Sequence, residues 1–149
     1  AEVSAQLADC ILRRLKVDRN SRETVCQLIR FHGIRPATGE VSVRRWLQLL
    51  GPRQVNSLVH IWWADVSSHH AKGENLKAFE KTLSDTIKNA GCYATDQLAI
   101  TGGNLLTAGL AKPGPSMSNM LDWLLHEVVE GRVENTREAL LAKAREWQE

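Results

Sequence analysis

The sequence predicts an all-α fold in which a helical body is followed by a smaller helical tail. Apolar residues recur at helical spacing along most of the 149 residues. No stretch shows the alternating pattern that is typical of a β-strand. After residue 91 the chain becomes rich in glycine and proline, and its helical stretches shorten. This change predicts a boundary near residues 91–96, with the body at 1–91 and the tail at 92–149.

Residues 1–32 predict the first two helices. Apolar spacing favours a helix over 1–15, and no capping residue precedes Ala1, so we expect this helix to belong to a longer chain. Asn20 with Glu23 forms a candidate capping box for the second helix. The apolar stripe of the first helix is Val3, Leu7 and Cys10 or Ile11, and the expected buried face of the second is Val25, Leu28, Ile29 and His32.

A loop at 33–42 leads to the next pair of helices. Ser42 is expected to cap a short helix over 43–50, which ends at Gly51. Pro52 then takes the first position of a helix that reaches residue 70, because a first turn does not need the N–H that proline lacks. The expected inward side chains of this helix are Val55, Leu58, Val59, Trp62 and Val66.

Three further helices are predicted over 74–91, 116–130 and 136–148, with short helical pieces such as 103–109 between them. Gly91 is expected to end the first of the three. The candidate caps of the last helix are Asn135 or Thr136 together with Glu138.

Bulk composition excludes several classes of protein. Apolar residues make up 43% of the chain and include five tryptophans, which is enough for a packed core. No apolar run is long enough to cross a bilayer, and no signal-peptide pattern opens the chain. Cys10, Cys26 and Cys92 are odd in number and lack metal-binding spacing. We therefore expect a cytoplasmic protein with no membrane partner.

Positive charge is concentrated in the first part of the chain. Residues 1–60 carry ten basic and five acidic side chains, whereas residues 61–149 carry nine and twelve. Nine of the ten basic residues in 1–60 are arginines, whose planar guanidinium group can donate two parallel hydrogen bonds to a phosphate. The alternative explanation for the many arginines is a GC-rich coding sequence, with the side chains simply facing solvent.

His32 and Asp65 are the candidate metal ligands. A metal-dependent phosphohydrolase of the HD type uses this pair of residue types, but it also needs a His-Asp dipeptide, which the sequence lacks. Asp65 and His69 have i, i+4 spacing, yet two ligands do not close a metal site. A structural role for these side chains is the favoured interpretation.

The sequence has no motif for nucleophilic or two-metal catalysis. It lacks Gly-x-Ser-x-Gly, a phosphate-binding glycine-rich loop followed by Lys-Ser/Thr, and Asp-x-Asp. We therefore expect this chain alone to be catalytically inactive.

A stiff basic turn precedes the helix at 116–130. Lys112 is followed by Pro113-Gly114-Pro115, and the free N–H groups of the helix start, around Gly114 and Ser116, favour an anion. This turn is a candidate phosphate site. The alternative is a simple connector between helices.

The tail resembles the C-terminal region of bacterial CCA-adding tRNA nucleotidyltransferases and their poly(A) polymerase relatives. Three segments carry the resemblance: Gly102-Gly103-Asn104-Leu105, Pro113-Gly114-Pro115 and Asn135-Thr136-Arg137. Asn104 stands where the family has aspartate; it keeps the capping role but loses the charge.

The resemblance continues upstream into the body, where His32 and Asp65 fall on the last two metal positions of the family's HD-type segment. The family's Gly-Ser and Asp-x-Asp motifs have no counterpart in this chain. The resemblance implies that a separate N-terminal catalytic domain uses Mg²⁺ with ATP and CTP, and that no cofactor binds here.

The function implied by the resemblance is binding of tRNA while the catalytic domain adds CCA to its 3′ end. Duplex RNA is recognised mainly through its shape and phosphates, which requires a cationic helical surface. The candidate RNA-binding residues are Arg44, Arg45, Lys112, Arg132 and Arg137. Arg132 has an alternative use as a surface ion pair with Glu130 or Glu134.

Two other functions remain open at this point. One is an HD-type phosphohydrolase acting on cyclic phosphates or nucleotides, with metal at His32 and Asp65. The other is a dimerisation or docking module with the tryptophan-rich helix at the contact. Trp62 and Trp63 point about 100° apart on a helix, so we expect one in the core and the other available for a contact.

Overall fold

The all-α prediction is confirmed by the computed structural model, which describes residues 1–69, 73–89 and 91–147. Seven α-helices, one 3₁₀ turn at Thr95–Gln97 and no strand lie within these ranges. The helices are α1 Glu2–Arg14, α2 Arg19–Phe31, α3 Glu40–Ser68, α4 Glu74–Lys88, α5 Gly102–Thr107, α6 Pro115–Val129 and α7 Arg137–Ala144. The helix ends predicted at residues 70 and 148 lie outside the described residues. None of the described helices is both long and apolar enough to cross a membrane.

α2 begins two residues earlier than the sequence predicted, because its cap is Asp18 and not Asn20. The side chain of Asp18 accepts a hydrogen bond from the N–H of Ser21 at 2.9 Å. The predicted capping box of Asn20 and Glu23 is wrong, because Glu23 instead accepts from Arg19 Nε at 2.7 Å. His32 and Val25 are exposed, so the predicted buried face of α2 is also only partly correct.

α3 joins the two helices that were predicted on either side of Gly51. It begins at Glu40, after Gly39, so Ser42 is not its cap. Gly51 interrupts the helix with φ 73° and ψ 163°, a backbone conformation that glycine adopts without strain. The break predicted there is therefore confirmed, and Pro52 follows it as the first residue of the second segment.

The first hydrophobic core lies between α3 and α4. Four of the five side chains predicted to face inward are buried, and Val66 is half-buried. A chain of edge-to-face aromatic contacts crosses this core, with ring centroids 5.6, 5.4 and 5.9 Å apart along Phe31, Trp46, Trp62 and Phe79. The Trp62 indole also donates to the backbone oxygen of His32 at 2.8 Å, so its polar atom is satisfied inside the core.

The second hydrophobic core belongs to the tail and is centred on α6. Its fully buried members include Leu105, Leu124, Val129 and Leu140. The first core draws its buried residues from Val43 to Leu83 and the second from Cys92 to Ala144. The subdomain boundary near residues 91–96 stays a prediction.

Asparagine side chains order the loops of the tail. Asn104 Oδ1 accepts from the N–H of Thr101 at 2.8 Å, and Thr101 caps α5. Asn135 accepts from the N–H of Ala99 at 2.8 Å and donates to the oxygen of Gln97 at 2.9 Å. Thr136 is the cap of α7, as one of the two predicted alternatives. Asn135 thus holds the start of α7 against the chain that precedes α5.

We expect Leu58→Ala to lower the free energy of unfolding by about 2–5 kcal/mol, because Leu58 is fully buried between α3 and α4. Urea titration followed by circular dichroism measures this. Leu49→Ala is the matched control, since Leu49 lies on the same helix but is 58% exposed, and its effect should stay within about 0.5 kcal/mol. Equal losses in the two variants would contradict this description of the core.

Candidate nucleic-acid interface

Arg44 connects the body to the tail. Its Nη1 donates to the backbone oxygen of Val128, near the end of α6, at 3.0 Å. Its Nη2 lies 2.5 Å from Glu40 Oε1, one turn earlier on α3. Only 19% of the Arg44 side chain is exposed. This predicted RNA-binding residue therefore lies within the contact between the two parts of the chain.

Arg45 makes a two-pronged ion pair with Glu130, the residue that follows α6. Nε lies 2.6 Å from Glu130 Oε1, and Nη2 contacts Oε2. The Glu130 side chain is only 9% exposed, whereas that of Arg45 is 60% exposed. Hydrogen bonding to Arg45 lowers the pKa of Glu130, and the same pairing raises the pKa of Arg45. Arg45 thus serves as the counter-ion of a nearly buried carboxylate.

Arg132 contacts Glu130 and a second carboxylate, that of Glu127 on α6. Its Nη1 lies 2.6 Å from Glu127 Oε1, and its Nη2 lies 3.7 Å from Glu130 Oε2. Lys143 of α7 approaches Glu127 Oε2 at 3.4 Å. Burial alone would raise the pKa of Glu127, but hydrogen bonds and charges from Arg132 and Lys143 outweigh it, so the pKa is lowered. Of the two partners considered for Arg132, Glu130 lies within ion-pair distance, while the nearer partner, Glu127, was not predicted.

Three of the five candidate RNA-binding cations are therefore already matched by carboxylates. Arg44, Arg45 and Arg132 meet at the junction of α3 with the end of α6. Arg45 and Arg132 keep more than half of their side-chain surface exposed. A phosphate that approaches these two must compete with Glu130 and Glu127 for the guanidinium groups.

Lys112 and Arg137 differ from the other three cations. Neither has an ion-pair partner among residues 1–69, 73–89 and 91–147. Arg137 is the first residue of α7, and Lys112 is exposed just before the Pro-Gly-Pro turn. Their positive charges are available to an outside anion without displacing a carboxylate.

The predicted phosphate turn forms the start of α6. Gly114 has φ 142° and ψ −171°, a conformation that suits only glycine, and Pro115 occupies the first helical position. No side chain caps the helix start. Pro115 has no N–H and the N–H of Met117 donates to the oxygen of Gly114 at 3.1 Å, which leaves the N–H of Ser116 without a partner among the described residues. Lys112 and Ser116 line the same shallow groove together with Trp147. The structure therefore brings the predicted basic and polar groups of this turn together.

Trp147 is the residue of this groove that the sequence did not single out. It follows α7 and packs on Trp123 with ring centroids 5.4 Å apart. Its indole nitrogen is buried and has no hydrogen-bond partner within the described part of the chain. Only tertiary packing places it beside Lys112, because the two residues are distant in sequence.

His32 and Asp65 do not form a metal centre with each other. His32 is exposed, and its Nδ1 contacts the oxygen of Ile29 at 2.7 Å. The Asp65 carboxylate forms an ion pair with Arg35 and lies 3.4 Å from His69 Nδ1. No group of three or more His, Cys, Asp or Glu residues that could hold a metal ion occurs among the described residues.

As predicted, one of the two neighbouring tryptophans of α3 lies in the core and the other does not. Trp62 is 1% exposed and belongs to the first core. Trp63 is half-buried and donates from Nε1 to Glu80 at 3.1 Å.

Cys92 lies buried beside the junction of α3 with the end of α6. Burial raises the pKa of its thiol, which keeps it protonated rather than nucleophilic.

Comparison with known proteins gives two matches. The family model for tRNA nucleotidyltransferase domain 2 matches residues 2–144. A CCA-adding enzyme of Pediococcus pentosaceus is 39% identical over 57 residues, which is 38% of this chain and 14% of that enzyme. The matched segment thus spans a small part of that relative's length. No solved structure matches the chain.

Glu127→Gln should lower the free energy of unfolding at pH 7 by about 1–3 kcal/mol, because it weakens charged hydrogen bonds to Arg132 and Lys143. The folded-state pKa of Glu127 lies below its usual 4.5, so its stabilisation is present above pH 4.5 and is lost as the pH falls through the lowered value. Denaturant titrations between pH 3 and 7 should therefore show the wild type and the variant converging at acid pH. Glu134→Gln, an exposed neighbour without an ion pair in the described residues, is the control, and a constant gap across the pH range would refute the assignment.

Proposed function

We propose, from the premise that the chain belongs to the tRNA nucleotidyltransferase domain 2 family, that it is the tRNA-binding C-terminal region of a CCA-adding enzyme. The observation that carries this proposal is the family match over residues 2–144. The resemblance of the Pro-Gly-Pro and Asn-Thr-Arg segments and the partial match to a CCA-adding enzyme support it.

The chain's part in the reaction is to hold and orient tRNA in the cytoplasm. It lacks the Asp-x-Asp carboxylates that nucleotidyl transfer needs. Bond formation then belongs to an N-terminal catalytic domain that uses Mg²⁺ with ATP and CTP. Positioning the acceptor end accelerates such a transfer because it removes the entropic cost of bringing the reactants together.

Lys112 and Ser116, the latter with both its hydroxyl and its backbone N–H at the start of α6, are the first phosphate contacts in this proposal. They combine an unmatched positive charge, a hydroxyl and the positive end of the helix dipole. Arg137 adds a second unmatched charge on the tail. Arg45 and Arg132 contribute to the surrounding potential, but direct contact with RNA requires them to leave their carboxylates.

The contacts of Asp65 and of the tryptophans give less support to the other two functions, a metal-dependent phosphohydrolase and a docking module. The ion pair of Arg35 with Asp65 leaves the metal-dependent phosphohydrolase without an observation in its favour. Trp62 lies within the core, so a docking contact through the tryptophan-rich helix would depend on Trp63.

The double variant Lys112→Ala/Arg137→Ala should weaken binding of tRNA roughly five- to tenfold and reduce the slope of log K against log salt by roughly 2, because two phosphate contacts are lost. Filter binding or fluorescence anisotropy between 50 and 200 mM salt measures both quantities.

Lys81→Ala/Lys88→Ala is the matched control for this experiment. It removes the same charge from exposed positions on α4, away from the Pro-Gly-Pro turn. An equal loss in both double variants would mean that only net charge matters. Absence of any salt-dependent affinity of the wild type for tRNA would overturn the proposed function itself.

A further inference from the structure

The groove that Trp147 shares with Lys112 and Ser116 contains more than a phosphate site requires. We call it the Trp147 groove; its volume is about 410 Å³, which is in the range of small-ligand sites. Leu110 and Met120 add an aliphatic surface to its lining. Among the described residues, no carboxylate lines it. The groove therefore combines an aromatic ring and an aliphatic surface with a cation and a hydroxyl.

Packing holds the Trp147 ring in place while leaving part of it accessible. The ring packs on Trp123, with centroids 5.4 Å apart and planes inclined at 53°. Trp147 also packs against the second hydrophobic core, yet the residue is only half-buried and lines the groove. A ring that is already held has little conformational freedom to lose when a ligand binds to it. Trp147 is therefore a preorganised aromatic surface.

The indole N–H of Trp147 differs from those of the two tryptophans next to each other on α3. Trp62 Nε1 donates to the oxygen of His32 at 2.8 Å, and Trp63 Nε1 donates to Glu80 at 3.1 Å. Trp147 Nε1 is buried and has no acceptor within residues 1–69, 73–89 and 91–147. A buried donor without an acceptor is uncommon in folded proteins. An oxygen or nitrogen atom of a ligand in the groove would be a suitable acceptor.

We propose that the Trp147 groove binds one unpaired nucleotide of the RNA, with its base stacked on Trp147 and its phosphate bound by Lys112 and Ser116. This inference rests on the proposed function, because tRNA is the ligand there, and it adds the kind of nucleotide that the site accepts. Bases inside a duplex are covered by their neighbours, whereas an unpaired base exposes a face to an aromatic side chain. Stacking needs no particular base, so we expect little preference among the four bases.

Two substitutions of Trp147 separate stacking from packing. Trp147→Leu keeps an apolar side chain without an aromatic face, and Trp147→Phe keeps an aromatic face. In fluorescence anisotropy with the 149-residue chain, Trp147→Leu should weaken binding of tRNA roughly 5- to 100-fold, and Trp147→Phe by no more than about threefold. A blunt RNA duplex of about 16 base pairs has no unpaired nucleotide and should bind equally to the wild type and to both variants.

Trp63→Leu is the matched control. Trp63 is also half-buried, but it lies on α3 and packs against the first core. This variant should bind tRNA as tightly as the wild type does. Circular dichroism of every variant shows whether the helices are intact.

A nucleotide titration followed by NMR tests the wild type directly. Trp147→Phe identifies the Trp147 indole N–H resonance, because that signal disappears from its spectrum. Adenosine 5′-monophosphate up to about 10 mM should shift this resonance with a dissociation constant on the order of 1 mM. The Trp62 resonance should stay in place, since its indole is bonded inside the first core. Ribose 5-phosphate, which carries the same phosphate without a base, should shift the Trp147 resonance much less.

Three outcomes would overturn the inference and leave the proposed function standing, provided that Lys112→Ala/Arg137→Ala still weakens tRNA binding. The first is unchanged affinity of Trp147→Leu for tRNA. The second is an equal loss in Trp147→Leu and Trp147→Phe, which would show a packing role. The third is an equal shift with ribose 5-phosphate and adenosine 5′-monophosphate, which would show a site for phosphate alone. A wild type without affinity for tRNA would instead overturn the proposed function and this inference together.

Discussion

Two carboxylates at the end of α6 determine how the body and the tail are joined. Glu127 and Glu130 lie near the negative end of the helix dipole and are almost fully buried, which by itself is unfavourable for anions. Arg45 from α3, Arg132 from the following loop and Lys143 from α7 surround them. Because the cations come from three different segments, their pairing constrains all of these segments at once.

This constraint changes how positive charge in the sequence is interpreted. An arginine-rich first half of the chain suggests an RNA-binding surface, but Arg44 and Arg45 are engaged by the protein itself. The cations that remain unmatched among the described residues include Lys112, at a helix start stiffened by two prolines. Local backbone geometry, more than the number of arginines, marks the place where a phosphate would meet the least competition from carboxylates.

The helices and their interruptions could be predicted from the sequence because they follow from local rules. Gly51 breaks α3, Thr136 caps α7 and Trp62 lies inside the core, each as short-range pattern indicates. The pairing of Arg45 with Glu130 could not be predicted, because the two are 85 residues apart and many carboxylates were available. The exposure of Val3, Leu7 and Ile11 on α1 could not be predicted either, since periodicity identifies an apolar face without saying what covers it.

The separation of Arg45 and Glu130 along the chain has a consequence for biosynthesis. Domains generally fold from the N-terminus as the polypeptide emerges, so the core between α3 and α4 can pack before α6 has been synthesised. Arg45 is then already carried by a folded helix when Glu130 leaves the ribosome. A nascent tail would thus meet a preformed cationic docking point, and the two acidic residues would lose their water only after that docking point exists.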